Sequence, residues 1–180
     1  MFTVTNLADG IDMRPLELGD ARELAAAYVR NRDHLAPWEP ARSEEFFTEA
    51  AQSADLTSKL ASSAAGSAYS LGLFDGATIV GRFNLSGIVR GPFQNAGLGY
   101  WVDAEYAGKG LATAAVQAIL RVARDELRLH RVEASTLLHN HGSQRVLRNA
   151  GFEHIGMARS YLRIAGTWQD HNLYQVILHP

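Results

Sequence analysis

A chain of 180 residues, 47% hydrophobic and 20% charged, suffices for one domain with a sizeable core, and residues 1–180 read as a single domain. A net charge of −2 with seventeen scattered Lys and Arg leaves no footprint for a nucleic-acid backbone, and the absence of cysteine removes disulfides, thiolate metal sites and thiol nucleophiles together. No basic-then-apolar leader and no run of about eighteen apolar residues occurs, so neither secretion nor membrane spanning has support and cytoplasmic residence is expected.

Alternating apolar and polar residues predict a first strand over residues 13–18. Asp20 followed by Glu23 predicts a capping box that starts a helix running to about Arg32, with Leu24 and Tyr28 on its apolar side. Two prolines around Trp38 predict a stiff loop from His34 to Pro40. A second helix is expected from Ser43 to about Ser63, its Ser- and Ala-rich end prone to fraying. Residues 69–74 and 77–89 predict a hairpin, with a tight turn at Asp75-Gly76. A third antiparallel strand then covers residues 94–102.

That strand feeds the stretch around which the chain is organised, LGYWVDAEYAGKGLATAA, residues 98–115. A β-type run is followed by a polar turn and by Gly108 and Gly110 at the opening of a helix. Amides at a helix start lack intrahelical partners and sit in the positive potential of the helix dipole, which makes an anion site. Small residues (Ala107, Gly108, Gly110, Ala112) allow a diphosphate close to the main chain, Lys109 adds charge at the rim, and Thr113 offers a hydroxyl. The nucleotide P-loop is excluded by spacing, because Lys109 lies between two glycines with no Ser or Thr after it. The dinucleotide fingerprint fits poorly, since this turn follows antiparallel strands beyond the chain's midpoint.

Apolar residues at helical spacing (Leu111, Ala115, Val116, Ile119, Leu120, Ala123, Leu127) predict the helix behind the loop. A strand over residues 131–138 returns parallel to the earlier one, and Asn140 and Gly142 break it. A short helix over residues 143–149 ends at Gly151. Residues 152–164 and 168–178 predict a last hairpin, joined through 165–167. The fold class is therefore α/β (α+β): a mixed, mostly antiparallel sheet with a parallel pair, flanked by helices. His139 and His141 flank Asn140 but lack a third ligand at recognisable spacing, so no metal is expected.

The segment YAGKGLAT resembles the acyl-CoA pyrophosphate loop of the GNAT N-acetyltransferases. In order and spacing, NLSGIVRGPFQNAGLGYWV, NHGSQRVLRNAGF and YLRIAGTWQDHNLY extend the likeness to the RimJ/RimL branch, which acetylates N-terminal amino groups of ribosomal proteins. The likeness spans residues 13–178. One departure is Glu105, where the wider family favours Gln or Arg.

The resemblance implies the GNAT acyl-CoA fold, with the parallel pair splayed by a bulge near residues 99–101. It implies acetyl-CoA as cosubstrate, bound through Trp101, Val102, Ala107, Gly108, Lys109, Gly110, Leu111, Ala112, Thr113, Asn140 and Ser143. Catalysis would use a main-chain N–H near Tyr100 to Val102 for the oxyanion and Ser143 as the acid toward sulfur, since Leu147 stands where many members carry a tyrosine. Asn140 and Ser143 also suit a helix N-cap. Trp38, Glu39 and Asp170 become acceptor-side candidates; Trp38 could equally plug the core edge, and Asp170 could instead satisfy turn backbone, the reading its position favours. No general base is inherited: Leu162 and Ser135 occupy positions where relatives carry acids, and Glu133 is spaced differently. The implied activity is direct acetyl transfer in a ternary complex to a primary amine, foremost a protein N-terminus, by a monomer or homodimer. The alternatives are a small-amine acetyltransferase, acting on an antibiotic or polyamine, and a catalytically silent acyl-CoA sensor.

Overall fold

The computed structural model describes residues 5–7 and 10–179. Its strands are β1 (Thr5–Asn6), β2 (Ile11–Pro15), β3 (Tyr69–Asp75), β4 (Thr78–Val89), β5 (Asn95–Val102), β6 (Arg131–Leu137), β7 (Glu153–Ile164) and β8 (Thr167–Ile177). The helices are α1 (Ala21–Arg30), α2 (Arg32–Leu35), α3 (Glu49–Ala64), α4 (Leu111–Asp125) and α5 (His141–Asn149). The sheet runs β1-β2-β3-β4-β5-β6-β8-β7, and among the described residues only β5 and β6 pair in parallel. The mixed, mostly antiparallel architecture read from the sequence is the one observed.

Strand periodicity divides the interior into two layers. Leu71 and Leu73 of β3, Phe83 and Leu85 of β4, and Ala96 and Leu98 of β5 share a core covered by Ala115, Val116, Ile119 and Ala123 of α4. Phe74, Ile79 and Trp101 belong to a second core, packed by Leu24, Ala27 and Tyr28 of α1 and by Leu56 of α3. Each fully buried Leu, Ile or Phe contributes roughly 1.5–3 kcal/mol, so this double packing holds β5 from both sides. No helix among the described residues is long and apolar enough to cross a membrane.

Several boundaries move for identifiable reasons. The first strand is Ile11–Pro15, ahead of the expected span, and Leu16 then bonds Ser70 O. Asp20 does not cap through its side chain; its carboxylate accepts the Glu17 N–H at 2.7 Å and pairs with Arg14 at 2.8 Å, closing a 3-10 turn over Leu18–Asp20. Glu23 accepts the Ile79 N–H at 3.3 Å instead of completing a box. Burying Leu35 winds part of the Trp38 loop into α2. The second helix is interrupted: Glu44–Phe47 forms a 3-10 turn, and Thr48, extended at φ −89°, caps α3 by accepting the Ala51 N–H. In the hairpin, Asp75 pairs with Thr78, which moves the turn onto Gly76-Ala77, with Gly76 at φ +57°.

The feature that positions the site is the divergence of β5 from β6. Parallel pairing runs from Asn95↔Arg131 to Leu98↔Ala134 and stops. Beyond it β5 stays with β4 through Val102↔Gly81, while β6 stays with β8 through Leu137↔His171. The bulge expected near residues 99–101 is absent from the β4–β5 register, which runs unshifted from Ser86↔Gly97 to Gly81↔Val102. Divergence needs no bulge, because each strand keeps a full set of partners on its other side.

Candidate active site

Alternate residues of an antiparallel strand turn their N–H and C=O to opposite neighbours. Asp103 N–H bonds Val80 O on the β4 side, and Gln94 O accepts the His130 N–H on the β6 side. Odd residues of β5 therefore serve β4, and even residues face β6. Past Leu98 this turns the main-chain groups of Tyr100 and Val102 into the gap between the diverging strands. Val102 O accepts from His34 Nε2 at 3.2 Å, which assigns that ring proton to Nε2, since a carbonyl can only accept. His34 is a cleft residue that the sequence reading missed, in a segment read for its prolines and for Trp38 and Glu39.

The turn after β5 is anchored from behind. Asp103, 2% exposed, accepts from Arg30 Nε at 2.9 Å, Asn31 Nδ2 at 2.7 Å and the Glu105 N–H at 3.0 Å. A 3-10 turn, Ala104–Tyr106, then leads to Gly108 at φ +75° and Gly110 at φ +83°. Side chains disfavour that backbone region, which is why glycine stands at both positions. Gly110 is the N-cap of α4 and supplies no side-chain acceptor, and the first helical bond is Ala114 N–H to Gly110 O at 3.1 Å. The amides of Leu111, Ala112 and Thr113 are thus left for an anion.

These elements border a cleft of about 1120 Å³. Ala107, Gly108, Gly110, Ala112 and Thr113 line it, as do Tyr100, Trp101 and Val102. Three expected contacts differ in kind. Lys109 does not line the cleft; its Nζ lies 5.5 Å from the Tyr106 ring centroid. Leu111 is 7% exposed and packs into the core beneath the loop. The Trp101 indole is committed to the second core, where Nε1 donates to Tyr28 Oη at 3.1 Å.

In the middle of the cleft the Tyr100 ring stacks on Phe83, with centroids 5.1 Å apart and planes 4° from parallel. Its hydroxyl meets Ser143 Oγ at 2.9 Å. Burial pushes the Tyr100 phenol up to about 12, with the Ser143 hydrogen bond opposing the rise. Asn140 caps α5, its Oδ1 accepting the Ser143 N–H at 3.1 Å, and it also lines the cleft, so its cap role and its cleft position coexist. Leu147 is fully buried core. A phenol does reach this point, from β5 rather than from α5; the sequence reading gave Tyr100 a catalytic part through the main chain and missed the hydroxyl pair.

Trp38 and Glu39 also line the cleft. The Trp38 ring is 5.4 Å from that of His139. Burial raises the pKa of Glu39, opposed by Arg42 at 3.4 Å and by Arg82. The Ala165 N–H bonds Glu39 O at 2.9 Å, tying the tip of the β7–β8 hairpin to this loop. Asp170 does not line the cleft, so of its two expected roles the acceptor-side one lacks support and the backbone one is seen: its Oδ1 accepts the Ser160 N–H at 2.8 Å. That bond pins the irregularity between Ala158 and Leu162, where Ser160 takes φ +47°. His171, 3% exposed, lines the cleft from the next position on β8. Among the described residues no group of three or more His, Asp or Glu is placed to hold a metal.

The family model described as Acetyltransferase (GNAT) domain matches residues 11–153. The ribosomal protein uS5-alanine N-acetyltransferase of Escherichia coli is 38% identical over 167 residues, spanning 92% of this chain and 86% of its own. The crystal structure of ribosomal-protein-S5-alanine acetyltransferase from Vibrio fischeri superposes with a TM-score of 0.94 at 33% identity, covering 99% of this chain and 100% of that one. RimJ of Mycobacterium smegmatis, solved in complex with CoA-disulfide, gives a TM-score of 0.88 at 27% identity over 93% of this chain and 81% of its own.

Proposed function

The chain belongs to the GNAT acetyltransferase family, and from that premise we propose that it moves the acetyl group of acetyl-CoA onto the N-terminal α-amino group of a protein, a ribosomal protein being the class its relatives name. The observation that carries this reading is one continuous cleft linking the α4 amides, the Tyr100–Ser143 hydroxyl pair and the Glu39 carboxyl.

A diphosphate on the amides around Gly110 and a thioester arm along the Tyr100–Val102 edge bring the acyl carbonyl beside the two hydroxyls. The acceptor enters by way of Trp38 and Glu39, where a carboxylate attracts its ammonium. An α-amine has a pKa near 8, so roughly a tenth is neutral at pH 7. Its nitrogen forms a bond to the carbonyl carbon, and the oxyanion is met by the main-chain N–H of Tyr100 or Val102, donors already oriented before the reaction. The C–S bond then breaks with its electron pair on sulfur, the thiolate takes a proton from Ser143, whose Oγ is held by the Tyr100 hydroxyl, and the pair regains a proton from solvent once the products leave. Transfer is direct, within a ternary complex, and no residue of the chain carries the acyl group.

The test is thiol release from acetyl-CoA by the purified protein, with an Ala-initiated ribosomal-type peptide, its N-blocked twin and a panel of small amines. Release with the free peptide and not with the blocked one is the expected result. Release with small amines alone would replace the acceptor class, and acetyl-CoA binding without release from any acceptor would overturn the catalytic reading.

A further inference from the structure

Attack by an amine leaves a proton on nitrogen that some group must accept, and no carboxylate was inherited for that task. We propose that His171 is this group, acting as general base through Nε2; the proposal rests on the acetyl-transfer reading above. Its Nδ1 lies 3.0 Å from Gln169 O. A carbonyl oxygen only accepts, so Nδ1 carries the hydrogen, and Nε2 of the neutral ring keeps its lone pair. Nε2 has no hydrogen-bond partner among the described residues. With the Nδ1 edge turned to its own strand, Nε2 is the edge presented to the cleft that His171 lines.

Placement supports the role. His171 stands directly across from Leu137 at the end of β6, and the chain then runs through Asn140 into Ser143. The base and the hydroxyl pair thus flank the same stretch of cleft. The ring is also held: Tyr161 packs on it with centroids 5.6 Å apart, delivered by the irregular segment that Asp170 pins through Ser160. Residues 169–171 therefore divide the work. Gln169 fixes the tautomer, Asp170 positions the aromatic wall, and His171 takes the proton. Glu39 is the competing acceptor; it pairs with Arg42 at 3.4 Å, and the Glu39→Gln variant separates the two. As the C–N bond forms, one N–H bond of the acceptor breaks and its proton passes to Nε2, then to solvent after product leaves.

His171→Asn tests this, because an Asn side-chain amide can replace the Nδ1 donor to Gln169 O while removing Nε2. At neutral pH kcat is expected to fall about 100- to 1000-fold, the usual span for a lost general base, with both KM values within about threefold. In His171→Ala, added imidazole should restore turnover, and more basic imidazoles should restore it better. The ring tautomer is read separately by 15N NMR of the wild type, with the proton expected on Nδ1. A kcat for His171→Asn within threefold of wild type overturns the proposal, as does a proton on Nε2; a 100-fold loss in Glu39→Gln with none in His171→Asn reassigns the base. A wild type that releases no thiol with any amine fails the parent reading, and the proposal falls with it.

Discussion

Ser143 and Tyr100 give the sharpest test of the mechanism, because their geometry predicts an order of effects. If Ser143 donates to the departing sulfur and Tyr100 donates to Ser143, the two substitutions are unequal. Ser143→Ala removes a hydrogen bond to a charged leaving group, about 1.5–3 kcal/mol, which is roughly a 10- to 150-fold loss of kcat. The cap of α5 survives, since it uses the Ser143 main-chain N–H. Tyr100→Phe removes only a neutral hydrogen bond, about 0.5–1.5 kcal/mol or roughly 2- to 12-fold, and the stack on Phe83 keeps the ring in place. In the double variant the second change should add less than about twofold, because the tyrosine acts only through the serine. The assay is steady-state thiol release, with acetyl-CoA affinity measured separately by calorimetry. A larger loss from Tyr100→Phe would make the phenol the direct donor, and fully multiplicative losses would refute a relay altogether.

Gly110→Ala forces a side chain onto φ +83°, costing about 1–2 kcal/mol of stability, and relief of that strain at the N-cap should displace the α4 amides and raise the acetyl-CoA KM about tenfold or more. For Glu39 the folded state favours the protonated form, so the group's contribution is present below about pH 4, its unfolded value, and is lost as pH rises through the folded value. Glu39→Gln should therefore raise Tm at pH 7 but not near pH 4, while peptide KM increases; an unchanged KM would remove Glu39 from acceptor recognition. Burial pushes Asp103 upward, but hydrogen bonds from Asn31, Arg30 and the Glu105 N–H outweigh it and hold the carboxyl below its usual range. Its stabilisation is present above about pH 4 and lost as pH falls through the folded value. Asp103→Asn should cost about 1–3 kcal/mol in urea melts at pH 7 and flatten the acid limb; Arg30 is over a third exposed, which keeps the figure below that of a sealed pair.

Elements whose signal is local were legible. The apolar stripe of α4, the glycines before it and the glycine after α5 each follow from neighbours in the chain. The mis-set boundaries arose where a polar group found another partner: Arg14, six residues away, drew Asp20 from its cap, and Ile79, distant in sequence, claimed Glu23. The phosphate loop could be read because main chain and small residues make it, whereas the hydroxyl pair joins residues 43 apart through the sheet. Asp170 illustrates the limit: its position already favoured a backbone role, yet only the β7–β8 register shows which backbone it holds and that its neighbour His171 meets the cleft.

The strand order carries a consequence for how the site comes into being. β8 is later in the chain than β7, yet it sits between β7 and β6. As the polypeptide is synthesised, β7 emerges before its sheet neighbour exists, and the far edge of β6 waits uncovered for the same residues. The wall bearing His171 is therefore the last part of the sheet to close, and any truncation ahead of Thr167 removes two strands' worth of pairing together. A nascent chain can bury α4 against β3, β4 and β5 early, but it cannot become competent for chemistry until translation has passed β8.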